Sequence, residues 1–224
     1  MQTLVQAALD RQDPTGWFEP LYAEAKGDSG QIPWAKLTPH PQVQAWLDRQ
    51  QLPQAGRRAL VVGCGLGDDA EALNQLGYTV VAFDIAPTAI AWCQQRFPDS
   101  AVTYCVGDLL NPDPEWLGAF DLVVECRNVQ ALPLSSRSQA LTALAQTVAP
   151  QGTLLVVTRL RPPHEPPPGP PWPLAEWELS QWGLDGLTEV GREVKQLVDN
   201  PNAPPITQAW IEYRCDREPK GHLD

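Results

Sequence analysis

The sequence predicts an α/β protein: a doubly wound, mostly parallel sheet with helices on both faces and a helical extension at its N-terminus. Three observations carry this. From residue 59 onward, short apolar runs alternate with helical patterns, the rhythm of a parallel sheet whose crossovers are helices. The first apolar run ends in a glycine loop, "ALVVGCGLGDD" at 59–69. The next two runs end in acids, Asp84 and Asp108.

The elements follow in order. "ALVVG" (59–63) reads as a buried strand. "DDAEALNQLG" (68–77) reads as a helix, with Ala70, Leu73 and Leu76 on one face and Gly77 ending it. "TVVAFD" (79–84) is the next strand, and "PTAIAWCQQRF" (87–97) opens a helix on a proline in its first turn. "AVTYCVGD" (101–108) and "FDLVVE" (120–125) continue the strands. "SSRSQALTALAQTVA" (135–149) is a capped amphipathic helix, and "GTLLVVT" (152–158) another central strand. Residues 1–58 read as a helical cap packed on the 59–224 core, forming one structural domain overall. Residues 161–173 are too rich in proline to join a sheet. Core-forming sequence resumes behind them, as a helix over 174–184 and a strand over 207–215. The 161–173 stretch is therefore an ordered loop within the domain, either a lid over the site or a displayed partner-binding segment.

Composition narrows the function. The formal net charge is −11 across 224 residues, with cations scattered rather than clustered. Binding to a phosphate backbone relies on such cations, so a small-molecule partner is expected and nucleic acid is not. No run approaches the length of a membrane span, and the N-terminus lacks the form of a secretory signal. The five cysteines follow no metal or redox spacing. They are expected to be structural thiols in a reducing, cytoplasmic setting. With three histidines, no metal centre is expected. A monomer is the favoured state.

The glycine loop carries the chemistry. The dinucleotide fingerprint requires glycine or alanine at position 68, where this chain has Asp68. Asp68 and Asp69 place negative charge at the helix N-terminus, where a pyrophosphate would dock. Such a loop suits a nucleoside without phosphates that carries positive charge, as S-adenosylmethionine (SAM) does. Gly63, Gly65 and Gly67 let the backbone approach it. Asp84 is placed to accept from both ribose hydroxyls, and Asp108 from the adenine amino group.

These residues, taken together, resemble class I SAM-dependent methyltransferases, and among them the thiopurine methyltransferase-like branch. "VVGCGLGDDAEALNQLGYTVVAFDIAPTAI" is similar to that branch's glycine loop and following segment. "IPWAKLTPHP" resembles its N-terminal tryptophan motif, and "FDLVVECRNVQALP", with Arg137 and "PQGTLLVVT" behind it, its fourth and fifth strands. "GPPWPL" (169–174) resembles its acceptor-side loop. The likeness covers roughly residues 17–182. It implies a Rossmann-like sheet of seven strands, SAM as cofactor, and methyl transfer to a small molecule. The first choice of acceptor is a thiol, related chalcogen or halide.

By that resemblance the cofactor site comprises Trp34, Gly63, Cys64, Gly65, Gly67, Asp84, Ile85, Asp108, Leu109 and Glu125. Trp34 would close over the sulfonium with its ring face. Trp17, Glu125, Arg127, Asn128 and Trp172 are acceptor-pocket candidates. Arg127 would hold an anionic acceptor or pair with Glu125. His40 and His164 are possible bases. Trp46, Trp92, Trp177 and Trp182 fall in helical patterns and are expected in the core. Three departures stand out: Val61 where an acid is common, Ala35 where an Asp is common, and Glu125-Cys126-Arg127 where Asp-Arg is frequent. Two rival functions stay open at this point: a catalytically silent SAM-binding partner or sensor, and an NAD(P)-dependent oxidoreductase.

Overall fold

The computed structural model describes residues 1–50, 54–165, 169–198 and 204–218. Seven strands form one sheet in the order β3-β2-β1-β4-β5-β7-β6. They are β1 (Arg58–Val62), β2 (Thr79–Asp84), β3 (Thr103–Val106), β4 (Phe120–Cys126), β5 (Val148–Arg159), β6 (Leu187–Leu197) and β7 (Ile206–Cys215). The first five run parallel, while β7 lies antiparallel to both β5 and β6. The sheet is mostly parallel, as expected, with one antiparallel portion.

Alternation along the strands sorts side chains to two buried faces. One face joins Leu60, Val62, Val123 and Val156 to Leu141 and Leu144 of α6 (Leu134–Thr147) and to Trp182. The other joins Val61, Ala82, Val124 and Val157 to α3 (Pro41–Leu47) and to α4 (Asp68–Gln75). A third cluster covers the carboxyl ends of the strands. There α1 (Gln2–Asp10) and α2 (Phe18–Ala25) pack through Val5, Trp17 and Tyr22 against Leu66, Ala86 and Ala89. Ala86 and Ala89 belong to α5 (Pro87–Arg96) and the residue before it.

Several details differ from the sequence expectation. The single helix expected over 174–184 is two one-turn helices, α7 (Glu176–Leu179) and α8 (Gln181–Leu184), parted at Ser180. Gly183 in that stretch lowers helix propensity. Strand β6 is the seventh strand that the resemblance implies, at a position no apolar run marks. It is an edge strand with nearly every position exposed, and its charges (Glu189, Arg192, Glu193, Lys195) hide the apolar alternation while discouraging edge-to-edge pairing. Trp177 is 52% exposed instead of buried, whereas Trp46 and Trp182 are in the core as expected; Trp92 is partly buried. Cys64, Cys93, Cys105, Cys126 and Cys215 are all free thiols. Among the described residues, no helix is long and apolar enough to cross a membrane.

Candidate active site

Strand order reverses between β1 and β4, and in open sheets of this kind ligands sit beyond the carboxyl ends of the strands at that switch point. A cavity of about 420 Å³ opens there. Its floor is the glycine loop between β1 and α4, and its roof is α2 with the 33–41 loop.

Gly63 and Gly65 take left-handed backbone angles, φ 53° and 57°, which side chains other than glycine rarely adopt. A Cβ on Gly63 would also overlap the Asn128 carboxamide. Gly65 faces the Tyr22 hydroxyl and the Trp34 ring across the cavity. The Trp34 indole donates to the Tyr22 hydroxyl at 2.9 Å, which fixes the ring over the loop.

Asp84 ends β2 and is buried. Its two carboxylate oxygens accept the N–H groups of Gly65 and Ala86, each at 3.0 Å. An ionised carboxylate offers about four lone-pair positions, so capacity remains on both oxygens. Burial raises its pKa to about 6 against the pull of these N–H groups. Asp108 accepts the Leu110 N–H at 2.8 Å through one oxygen. Ile85, Leu109 and Cys64 complete this side of the wall.

The two aspartates after the loop behave differently from each other. Asp68 pairs with Arg96 through both oxygens, at 2.8 and 3.1 Å, and that cation offsets its charge. Asp69 accepts the His40 backbone N–H at 2.7 Å, and burial raises its pKa to about 6. Both line the cavity, Asp68 offset by Arg96 and Asp69 tied to the 33–41 loop.

Across the switch point the character changes. Arg127, at a left-handed φ of 66°, follows β4 and donates through Nη2 to Gln208. Its Nε is buried without an acceptor among the described residues. No Arg127–Glu125 pair forms. Instead, Glu125 accepts the N–H groups of Asn128 and Val129 at 2.5 and 2.9 Å, and burial pushes its pKa up to about 7. Asn128 lines the cavity and donates to the Val62 carbonyl at 2.6 Å, tying β4 to β1. Trp17 lines it as well, stacked on Phe18 at 3.9 Å and edge-on to Trp34.

Three expected site residues lie outside the cavity lining. Glu125 sits wholly buried behind it, occupied with the turn after β4. Gly67 is the N-cap of α4, packed against Tyr104 and Cys93. Trp172 is buried in the third cluster, with its carbonyl accepting from Arg137. His40 does line the cavity, but its Nδ1 accepts the Gln42 N–H at 3.3 Å, and burial together with Arg127 lowers its pKa to about 4. Sequence reasoning missed Tyr22. Its position four residues after Phe18, on the same face of a helix leading to the tryptophan motif, was the available signal.

Glycines in left-handed conformation, a buried strand-end acid with spare acceptors and a pinned tryptophan fit the cationic nucleoside of SAM. The sheet is that of the class I SAM-dependent methyltransferase fold. The family described as thiopurine S-methyltransferase (TPMT) matches residues 24–203, and the chain belongs to it. A ubiquinone biosynthesis O-methyltransferase of Xanthomonas oryzae pv. oryzae (strain PXO99A) is 31% identical over 115 residues, 50% of this chain and 47% of that protein. The chain thus spans about half the length of the curated relatives it matches.

Among solved structures, the N-methyltransferase NodS from Bradyrhizobium japonicum WM9, in complex with S-adenosyl-L-homocysteine, is 22% identical. The match covers 89% of this chain and 98% of that one, with a TM-score of 0.65. A structure concerned with conversion of a disulfide bond into a thioacetal group during echinomycin biosynthesis is 20% identical. It covers 96% and 94% of the two chains, with a TM-score of 0.63. These structural likenesses speak to the fold.

Proposed function

We propose that this chain transfers the SAM methyl group to a small, electron-rich nucleophile that arrives already anionic: a thiolate, a related chalcogenide or a halide. One observation carries the reading. Charge differs across the switch point: Asp84 at the end of β2 and Asp108 just beyond β3 line one side of the cavity, and Arg127, just beyond β4, lines the other, where Asp69 offsets part of its charge. A cationic nucleoside belongs on the first side and an anion on the second.

In this reading Gly63, Gly65, Asp84, Asp108 and Trp34 hold the cofactor, which supplies an electrophilic methyl group when bound. Arg127 orients the acceptor, using the buried Nε that has no acceptor among the described residues. Trp17, Phe18 and the 33–41 loop exclude water. Holding two reactants in line supplies about 7–11 kcal/mol of the barrier reduction. His40 is a poor general base: it is neutral down to about pH 4, and accepting at Nδ1 places its proton on Nε2. An alcohol or amine acceptor would need such a base; a soft anion does not. The family match favours methyl transfer over the oxidoreductase alternative.

The test measures S-adenosylhomocysteine formation with thiol, selenide, iodide, phenol and amine acceptors. Turnover confined to phenols or amines would overturn the acceptor class. Absence of turnover with every acceptor, alongside SAM-induced thermal stabilisation, would favour a silent SAM-binding protein.

A further inference from the structure

A second crevice, of about 340 Å³, lies under the opposite ends of the strands, between the C-terminal end of α3 and the sheet. The methyltransferase reading gives it no role. Three guanidinium groups, from Arg49, Arg57 and Arg214, converge there against two carboxylates, Asp121 and Glu212. A local excess of cations is notable in a chain with a formal net charge of −11.

The carboxylates do not satisfy the arginines, although Arg57 donates through Nη1 to the Gln54 carboxamide at 3.1 Å and Arg214 through Nη1 to the Gln151 carbonyl at 3.3 Å. Asp121 uses one oxygen to accept the Arg58 N–H at 2.8 Å and stands 3.9 Å from Arg57. Glu212 accepts the Trp46 indole N–H at 3.1 Å and stands 3.8 Å from Arg214. Both ion-pair separations exceed hydrogen-bond reach. Arg49 lies over the Trp210 ring, 4.8 Å from its centroid, and makes no ion pair among the described residues. Trp210 also lines the crevice and is 6% exposed, yet its Nε1 has no acceptor among the described residues. A buried donor left unpaired is costly, and several guanidinium groups facing one space are the donor set that binds an oxyanion.

We infer that this crevice is a binding site for a phosphoryl group, remote from the methyl-transfer site and held by Arg49, Arg57 and Arg214. A phosphate offers acceptor oxygens in several directions, which matches donors arriving from the turn after α3, from the residue before β1 and from β7. A carboxylate offers two oxygens in one plane and would leave donors unspent. The phosphoryl group comes either from free phosphate or from a phosphate ester of a larger molecule. Because Arg49 is exposed and Arg57 and Arg214 partly so, the affinity falls with added salt.

The experiment titrates the full chain with inorganic phosphate, ribose 5-phosphate or acetate, at an ionic strength held constant with chloride. Thermal stability and the indole N–H resonance of Trp210, assigned with Trp210→Phe, are followed. Both phosphates are expected to raise the melting temperature saturably and to shift that resonance, whereas acetate does neither. Tighter binding of the ester identifies a phosphorylated metabolite as the ligand; equal binding identifies free phosphate. The double variant Arg49→Gln/Arg214→Gln should weaken phosphate binding about tenfold or more, as expected when charge-assisted hydrogen bonds are lost. Its stabilisation by SAM should be unchanged, which also reports that it folds. If that variant does not fold, Arg57→Gln and the wild-type resonance shift carry the test. A phosphate response no greater than chloride, or one that survives the substitutions, overturns the assignment.

Discussion

The carboxylate of Asp69 accepts the backbone N–H of His40 at 2.7 Å, joining the first turn of α4 to the loop that carries Trp34. The two residues are 29 apart in sequence, and this bond adds a polar tie between the roof of the cavity and its floor. Asp69→Ala should leave that N–H without its acceptor and cost about 1–3 kcal/mol. Denaturant unfolding measures the loss, and faster proteolysis within residues 33–41 should accompany it.

If Asp84 holds the ribose as proposed, SAM binding should depend on pH with a definite sign. Its pKa is raised to about 6 by burial, and the ionised form is the better acceptor for two ribose hydroxyls. Affinity should therefore rise as pH increases through about 6 and level off above it. Asp84→Asn should flatten the profile and weaken binding by about 1.5–3 kcal/mol, the range for hydrogen bonds to a charged group. Calorimetric titration at pH 5 and pH 8 separates the two; an unchanged dissociation constant in the variant would place SAM elsewhere.

Trp34 closes the same site from above, 36% exposed and bonded to Tyr22. If its ring face attracts the sulfonium, Trp34→Ala should lose about 0.5–2 kcal/mol of SAM affinity. Trp34→Phe keeps a weaker face and should fall between the two. The comparison with S-adenosylhomocysteine, which has no sulfonium, isolates the charge contribution: its binding should change less in Trp34→Ala.

Much of this architecture was legible in the chain because it is written locally. Apolar runs with helical patterns between them gave the parallel strands. Gly63, Gly65 and Asp84 announced themselves by spacing at strand ends. What was not legible depends on partners distant in sequence. Nothing near Asp68 signals that Arg96, on the next helix, offsets its charge, and nothing near His40 signals Asp69. Glu125 and Trp172 sit beside motif residues yet point to structural work, capping a turn and anchoring a loop. Adjacency along the chain does not decide which way a side chain faces. Strand β6 stayed hidden for the opposite reason: an exposed edge strand needs no apolar face.

Global stability should also depend on pH in an unusual direction. Asp69, Asp84 and Glu125 are all raised, to about 6, 6 and 7, with burial the leading cause in each. In the window between the unfolded carboxyl pKa of about 4 and these values, the folded state holds more protons than the unfolded state. Stability therefore falls as pH rises through that window, and the chain should resist denaturant better at pH 5 than at pH 8. Glu125→Gln keeps an acceptor for the Asn128 and Val129 N–H groups while removing the buried charge. It should narrow the difference between the two pH values and lose little stability at pH 8.

The described ends of the proline-rich segment, at 161–165 and 169–173, are held by a buried cluster. Glu178 accepts from Arg137 at 2.7 Å and from Arg161 at 2.8 Å, and the Arg137 and Glu178 side chains are 3% and 1% exposed. Arg137 also donates to the carbonyls of Trp172 and Pro173, and Arg161 to that of Pro173 and to carbonyls at 162, 163 and 165. Both ends of the loop are thereby clamped to α6 and α7. Glu178→Ala would leave two guanidinium groups buried without their counter-ion, and breaking such a pair costs about 3–5 kcal/mol. Glu178→Gln keeps one acceptor and should cost less. Denaturant midpoints give the ranking, and protease cutting between residues 161 and 175 should follow the same order. If Glu178→Ala unfolds at the wild-type midpoint, the cluster is not what holds the loop.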